Sequence, residues 1–431
     1  MDLAALGALG STVVDWRFKG LPPRYEGSTV AELAAARANL FTDGFLTPVL
    51  TLDADALRHN LELMARWTAA HGLAFAPHGK TPLAPQLYRR QLDLGAWGIT
   101  AAVPSHVRMY RAFGVPRIFL GNELVDAAAL AWLAAELDAD PDFRFVCYVD
   151  SEQGVALMEQ ALAAAGATRR VDVVVELGWE GARTGVRTME QALESARRVT
   201  VSERLRLVGV AGYEGTIAPG PGPADRRAPV RDWLAFLTAT AHRMDAEGYF
   251  AQADEIIVSA GGSEHFDLVA EALTAEALQL SRPVLRLLRS GAYVTHDDVH
   301  YAEITPLHAP EDTLRPALRL WAQVVSRPEP GLALLNAGKR DLPYDLGLPV
   351  PLAVRDPKSG LVRQGTGLTV SKLADQHAFV TVEPDSGADT LDVGEWVCLG
   401  LSHPCTAFEK WQLIPEVEAD GTVTDYIRTF F

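Results

Sequence analysis

Positive charge is in short supply in this 431-residue chain: 39 lysines and arginines face 55 aspartates and glutamates, a net charge of −16. No block of basic residues relieves the deficit. The footprint that a phosphate backbone or an anionic membrane requires is therefore missing, and neither nucleic acid nor a membrane is an expected partner. Cysteine is scarcer still. Cys147, Cys398 and Cys405 are too few and too scattered for a disulfide framework, which agrees with a reducing compartment. No apolar run approaches the roughly 18 residues needed to span a bilayer, and the opening Met1–Gly7 lacks the basic start of a secretion signal. A cytoplasmic protein is expected.

What the chain does have is apolar material, 48% of its residues, enough for one large core plus a smaller one. Short β-branched runs alternate with alanine-rich helical stretches. They begin at Pro48–Leu52 and Leu73–Ala76 and continue through 97–101, 117–121, 143–149, 171–177, 205–211 and 255–259. Near-continuous apolar strands are buried on both faces, and about eight such βα units over roughly 250 residues fit a (β/α)8 TIM barrel, with a doubly wound open sheet as the rival. From about residue 301 the texture changes to short runs broken by Pro330-Gly331, Pro349, Asp356-Pro357 and Ser359-Gly360, the mark of a mostly β domain. The expected division is a barrel over 45–300, with 1–44 and 301–431 forming the β domain. Gly220-Pro221-Gly222-Pro223 reads as a loop.

Four segments carry chemistry. Pro77-His78-Gly79-Lys80-Thr81 puts an amine directly after an apolar run, where it is either solvated or has a lowered pKa and a covalent partner. In Ser259-Ala260-Gly261-Gly262-Ser263 a strand runs into bare backbone N–H groups that suit an anion such as phosphate, although a plain βα turn reads the same way. Gly291 and Tyr293, after Arg289-Ser290, offer a second donor set, and Arg183 offers a guanidinium at the expected barrel mouth. The fourth segment is Ser402-His403-Pro404-Cys405. His403 and Cys405 at i and i+2 suit one divalent metal, zinc more than magnesium, while a packed cysteine beside an ordinary histidine fits the pattern too.

Taken in order, the Lys80 segment, Arg183-Thr184-Gly185, Tyr213-Glu214-Gly215, Ser259–Gly262, Gly291-Ala292-Tyr293 and His403-Pro404-Cys405 resemble the D-serine dehydratase and D-threonine aldolase family of fold-type III, alanine-racemase-like enzymes. The likeness runs from about residue 45 to 411 and is nearest to a bacterial branch of amino acid deaminases. The resemblance implies pyridoxal 5′-phosphate carried on Lys80 as a Schiff base near His78. It implies phosphate donors at Gly261, Gly262, Ser263, Gly291 and Tyr293, Arg183 at the ring oxygen, Tyr213 flanking the cofactor, and a metal on His403 and Cys405: zinc, with manganese or magnesium as alternatives. His377 resembles a family histidine that reaches the site. The chain departs from the family pattern at Ala76, Pro82-Leu83, Thr216 and Asn336, which touches substrate recognition and the metal shell.

The implied activity is a dehydratase that converts a D-3-hydroxyamino acid such as D-serine or D-threonine into a 2-oxo acid and ammonia. The nearest rival is retro-aldol cleavage to glycine and an aldehyde, with His377 as base. Racemisation needs a second acid–base group that no motif supplies, and a non-catalytic pyridoxal-phosphate carrier would not need the β domain. A homodimer is expected from the resemblance alone.

Overall fold

The computed structural model describes residues 1–217, 227–309, 312–383 and 391–431. The loop expected at Gly220–Pro223 lies outside the described residues. The chain divides into two compact units, one made mainly of 64–80 and 91–291, the other of 2–63, 81–90 and 292–431.

Strand β1, Val49–Asp53, is followed by the barrel strands β2 (Ala74–Phe75), β3 (Ile99–Ala101), β4 (Arg117–Glu123), β5 (Arg144–Val149), β6 (Val171–Leu177), β7 (Leu205–Gly212), β8 (Ile256–Ala260) and β9 (Val284–Leu288). The eight strands β2 to β9 form one parallel sheet in the order β2-β9-β8-β7-β6-β5-β4-β3. The cylinder closes where the chain beyond β2 meets β3: His78 bridges Thr100, the Gly79 amide donates to the Thr100 carbonyl at 2.8 Å, and the Thr100 amide donates to the Pro77 carbonyl at 2.9 Å. All seven residues of β6 are buried, as a strand covered on both faces requires. Between strands, Asp126, Ser151 and Thr188 cap their helices by accepting from backbone amides in the first turn. At one position β7 and β8 approach so closely that only glycine fits: a Cβ on Gly209 would lie 1.9 Å from the Ile257 carbonyl oxygen.

The first apolar run is not a barrel strand. β1 pairs antiparallel with β10 (Leu318–Glu329), Val49 opposite Trp321, and parallel with β17 (Leu413–Val417). The eighth barrel place belongs to β9 instead. Locally the two runs look alike, and only the distant ladder partner decides between them.

The second unit is a 10-stranded sheet with an almost wholly antiparallel pattern. Besides β1, β10 and β17 it holds β11 (Leu332–Leu335), β12 (Val350–Arg355), β13 (Val362–Gln364), β14 (Leu368–Leu373), β15 (Ala378–Val382), β16 (Trp396–Gly400) and β18 (Val423–Arg428). The N-terminal segment packs onto it: Val14, Phe18, Leu33 and Phe45 share a core cluster with Val49, Leu413 and Tyr426. Asn336, one of the departures from the family pattern, ties this unit together. Its Oδ1 accepts from the Gln323 amide at 2.8 Å, and its Nδ2 donates to the Thr47 carbonyl at 2.9 Å.

Candidate active site

In the barrel unit the predicted residues stand at the carboxyl ends of strands. Lys80 is exposed just beyond β2. Gly79 precedes it with no room for a side chain, since a Cβ there would lie 2.5 Å from the Tyr110 hydroxyl; the turn that presents the amine is thereby held in place. Burial, then the positive charges of Lys80 and Arg289 and the neighbouring His106, hold His78 well below the ordinary histidine range. His106 is lowered by burial and by Lys80. His78 Nδ1 is buried and has no hydrogen-bond partner.

Arg289, at the end of β9, is buried to 5% exposure. Its Nε donates to Ser259 Oγ at 2.8 Å and its Nη2 to the Gly212 carbonyl at 2.5 Å. The guanidinium lies 5.1 Å from the Phe119 ring centre and 5.7 Å from that of Tyr148. Arg183 is exposed and sits 4.8 Å from the Tyr213 ring centre. Burial and the adjacent Glu214 push the Tyr213 phenol up to about 12, so it stays protonated.

The glycine cup is not open in the way the sequence suggests. The Gly261 amide donates to Glu214 Oε2 at 2.9 Å and the Gly262 amide to Glu214 Oε1 at 2.7 Å. Glu214 is fully buried, so in this structure these two N–H groups serve an internal carboxylate. Ser263, the next residue, is half-buried ahead of the helix Phe266–Ala272. Ser290 Oγ donates to the Gly262 carbonyl at 2.5 Å and fixes that turn against Gly291.

Three carboxylates that no motif flagged meet at neighbouring strand ends. Glu123 closes β4, Asp150 follows β5 and Glu176 lies near the end of β6; their ligand atoms fall within 4.8 Å of one another. Burial, then the charges of Glu176 and Asp150, push Glu123 up to about 9. The folded protein thus keeps a proton that the unfolded chain gives up, and this stabilisation is full in acid and lost as pH rises through about 9. Glu123→Gln is expected to flatten the fall in melting temperature between about pH 6 and 9, read by circular dichroism; a pH slope equal to that of the wild type would refute the assignment.

In the second unit His403 and Cys405 flank Pro404 at the start of the short helix Pro404–Phe408. His403 Nδ1 lies 2.6 Å from Asp345 Oδ2, and Thr81 Oγ1 lies 3.2 Å from Cys405 Sγ. Burial lowers His403, but Cys405 and Asp345 outweigh it and push the imidazole up to about 9. Tyr293 is buried in the turn Ala292–Val294. His377 is exposed in the turn between β14 and β15, where its carbonyl accepts from the Ala374 amide. No hydrogen bond joins its imidazole to His403 among the described residues. None of the three cysteines is in a disulfide.

Known proteins share this architecture. The family described as alanine racemase, N-terminal domain, matches residues 52–306, more than half of the chain, and a serine dehydratase domain matches 317–417. A D-threonine aldolase from Arthrobacter sp. is 29% identical over 381 residues, covering 88% of this chain and 90% of its own. The crystal structure of D-threonine aldolase from Filomicrobium marinum matches with a TM-score of 0.71 at 26% identity, covering 89% of this chain and 95% of that one. D-threo-3-hydroxyaspartate dehydratase from Delftia sp. HT23 shares the fold with a TM-score of 0.69 at 22% identity, covering 90% and 98%. With both the barrel and the β unit matched, the chain belongs to the D-serine dehydratase and D-threonine aldolase family of alanine-racemase-like, fold-type III pyridoxal-phosphate lyases.

Proposed function

We propose that the protein is a pyridoxal-phosphate- and metal-dependent dehydratase that converts a D-3-hydroxyamino acid to a 2-oxo acid and ammonia. The observation that carries this reading over its rival is the sulfur donor: His403 presents nitrogen and Cys405 presents sulfur on one helix start, a set that suits zinc. For a D-threo-3-hydroxyaspartate dehydratase of the same fold, a cysteine-to-alanine variant is described in a metal-free form.

The residues present fit both groups. For the cofactor, Lys80 is the only lysine between residues 20 and 338, so a carbonyl partner in the barrel unit has one amine to meet. The buried and unpartnered His78 Nδ1 and the cations Arg183 and Arg289 suit an anionic, polar ring system. Ser263 and Gly291 stand beside the amides of Gly261 and Gly262, which Glu214 holds in place, as the phosphate donors of this unit. For the metal, Asp345 on Nδ1 leaves His403 with Nε2 as its donor atom.

When bound, the cofactor supplies a sink for the electrons left on Cα, and the metal ion supplies the charge that turns a β-hydroxyl into a leaving group. Lys80 Nζ takes the proton from Cα. Neutral His78 and His106 add no positive charge beside that amine. Tyr213, packed against the Gly215 and Gly262 backbone, walls the site and keeps water away from the reacting carbon.

The second reading, retro-aldol cleavage, is favoured by the aldolase relatives at 29% and 26% identity. Incubation with D-threonine separates the two: 2-oxobutanoate plus ammonia is expected, and glycine plus acetaldehyde would overturn the dehydratase reading. Cys405→Ala is expected to lower dehydration by roughly 10²-fold or more, the cost of removing a metal ligand, while leaving the cofactor chromophore in place.

A further inference from the structure

The His403 imidazole has a carboxylate behind it. Asp345 Oδ2 lies 2.6 Å from Nδ1, and the other oxygen of the same carboxylate, Oδ1, accepts from Thr406 Oγ1 at 2.9 Å. Thr406 is one turn along the helix that His403 and Pro404 begin, and its hydroxyl is also 3.3 Å from the His403 carbonyl. Asp345 stands 58 residues upstream, in the segment Tyr344-Asp345-Leu346-Gly347. A carboxylate is an acceptor only, so the proton between the two groups belongs to Nδ1. That assigns the tautomer of the neutral ring, the form that binds a metal: Nδ1 carries hydrogen, and Nε2 carries the lone pair.

We infer that Asp345 is a positioning residue of the metal pair, locking His403 in the orientation and tautomer in which Nε2 is the metal donor. This rests on the reading of His403 and Cys405 as metal ligands. A shell with two protein ligands depends more on such support than one with three or four, because every degree of freedom left in the imidazole is lost when the ion binds. Thr406 keeps the carboxylate from rotating away, and proline at the first helical position fixes the backbone on which both ligands stand.

The test uses the full-length protein, stripped of metal with a chelator and titrated with cobalt(II) in competition with a chromophoric chelator. The thiolate-to-cobalt absorption band reports Cys405 ligation separately from affinity. Asp345→Ala is expected to weaken cobalt binding about 10- to 100-fold while the band of the bound ion persists. Asp345→Asn, which retains a carbonyl acceptor, is expected to lose less. Nitrogen-15 spectra of the metal-free Asp345→Ala protein are expected to show the Nε2-protonated tautomer of His403 gaining population, a change that a purely structural role would not produce. Wild-type affinity together with an unchanged tautomer in Asp345→Ala overturns the inference. Equal cobalt binding by wild type and Cys405→Ala instead overturns the metal pair itself, and this inference with it. Should Asp345→Ala fail to fold, Thr406→Val and Asp345→Asn decide the matter, since each must bind cobalt more weakly than wild type with the cofactor chromophore intact.

Discussion

Replacing Lys80 with alanine is expected to lower turnover by roughly 10³-fold or more, because in the proposed mechanism the same nitrogen anchors the cofactor and moves the Cα proton, and removing a positioned acid–base group alone costs about 10²–10⁴. Scarcity of lysine makes the experiment clean. The chain has six, at positions 19, 80, 339, 358, 372 and 410, and the barrel unit contains only one of them. Borohydride reduction of the wild type followed by peptide mapping is expected to leave a pyridoxyl adduct on the peptide containing Lys80, and none in Lys80→Ala. A small external amine should restore part of the variant's rate if proton transfer is what was lost. An adduct on another lysine, or a variant within tenfold of wild type, would dismiss Lys80 from both roles.

Glu214→Ala is expected to be the most damaging single change to the stability of the barrel unit. The side chain is fully buried and satisfies the amides of both Gly261 and Gly262. Truncating it strands one buried and one part-buried donor, at roughly 1–3 kcal/mol each, and leaves a cavity where the carboxylate was. A loss of about 3–5 kcal/mol follows. Glu214→Gln, which keeps one acceptor oxygen, is expected to lose about half as much. Urea unfolding of the two variants measures both numbers, and an unchanged midpoint at an unchanged slope for Glu214→Ala would show that the clamp contributes nothing. The position of Gly261 adds to the demand: its φ of +109° is open to glycine but not to side-chain-bearing residues, so the turn cannot be rebuilt by substitution there.

The fold was legible in outline because a βα rhythm is written locally. Runs such as Val171–Leu177 are apolar throughout, as strands covered on both faces must be. Val49–Asp53 has the same local signature yet joins the antiparallel sheet, since its partner Trp321 lies more than 250 residues away in sequence and nothing in the run itself marks that pairing. The placement of the candidate residues at strand ends was legible for a related reason. In a parallel barrel, functional groups gather at the carboxyl ends of strands, and Lys80, Tyr213, Gly261 and Gly291 all follow apolar runs closely.

What escaped the sequence were side chains that act on other side chains. Glu214 is adjacent to Tyr213 in a motif already singled out, but its contact with two amides 47 and 48 residues on has no sequence signature. Asp345 belongs to no motif with His403. Glu123, Asp150 and Glu176 each follow or end an apolar run, so their shared position at three adjacent strand ends was the available signal, and aligning those ends would have found them. His377 shows the opposite case. A match in sequence drew attention to it, and the fold sets it on an exposed turn of the β unit.

The brevity of β2 has a consequence for how this scaffold can be altered. The Lys80 amine follows the shortest rung of the cylinder, two residues long, rather than one of the seven- or eight-residue strands β4, β6 and β7. With so short a strand, the ladder at this place is carried by the turn itself, through the bonds of Pro77 and Gly79 to Thr100, so lengthening or re-angling that turn opens the seam of the cylinder. Redesign that aims to move the Lys80 amine by an ångström or so must therefore keep Gly79 and the Thr100 seam intact.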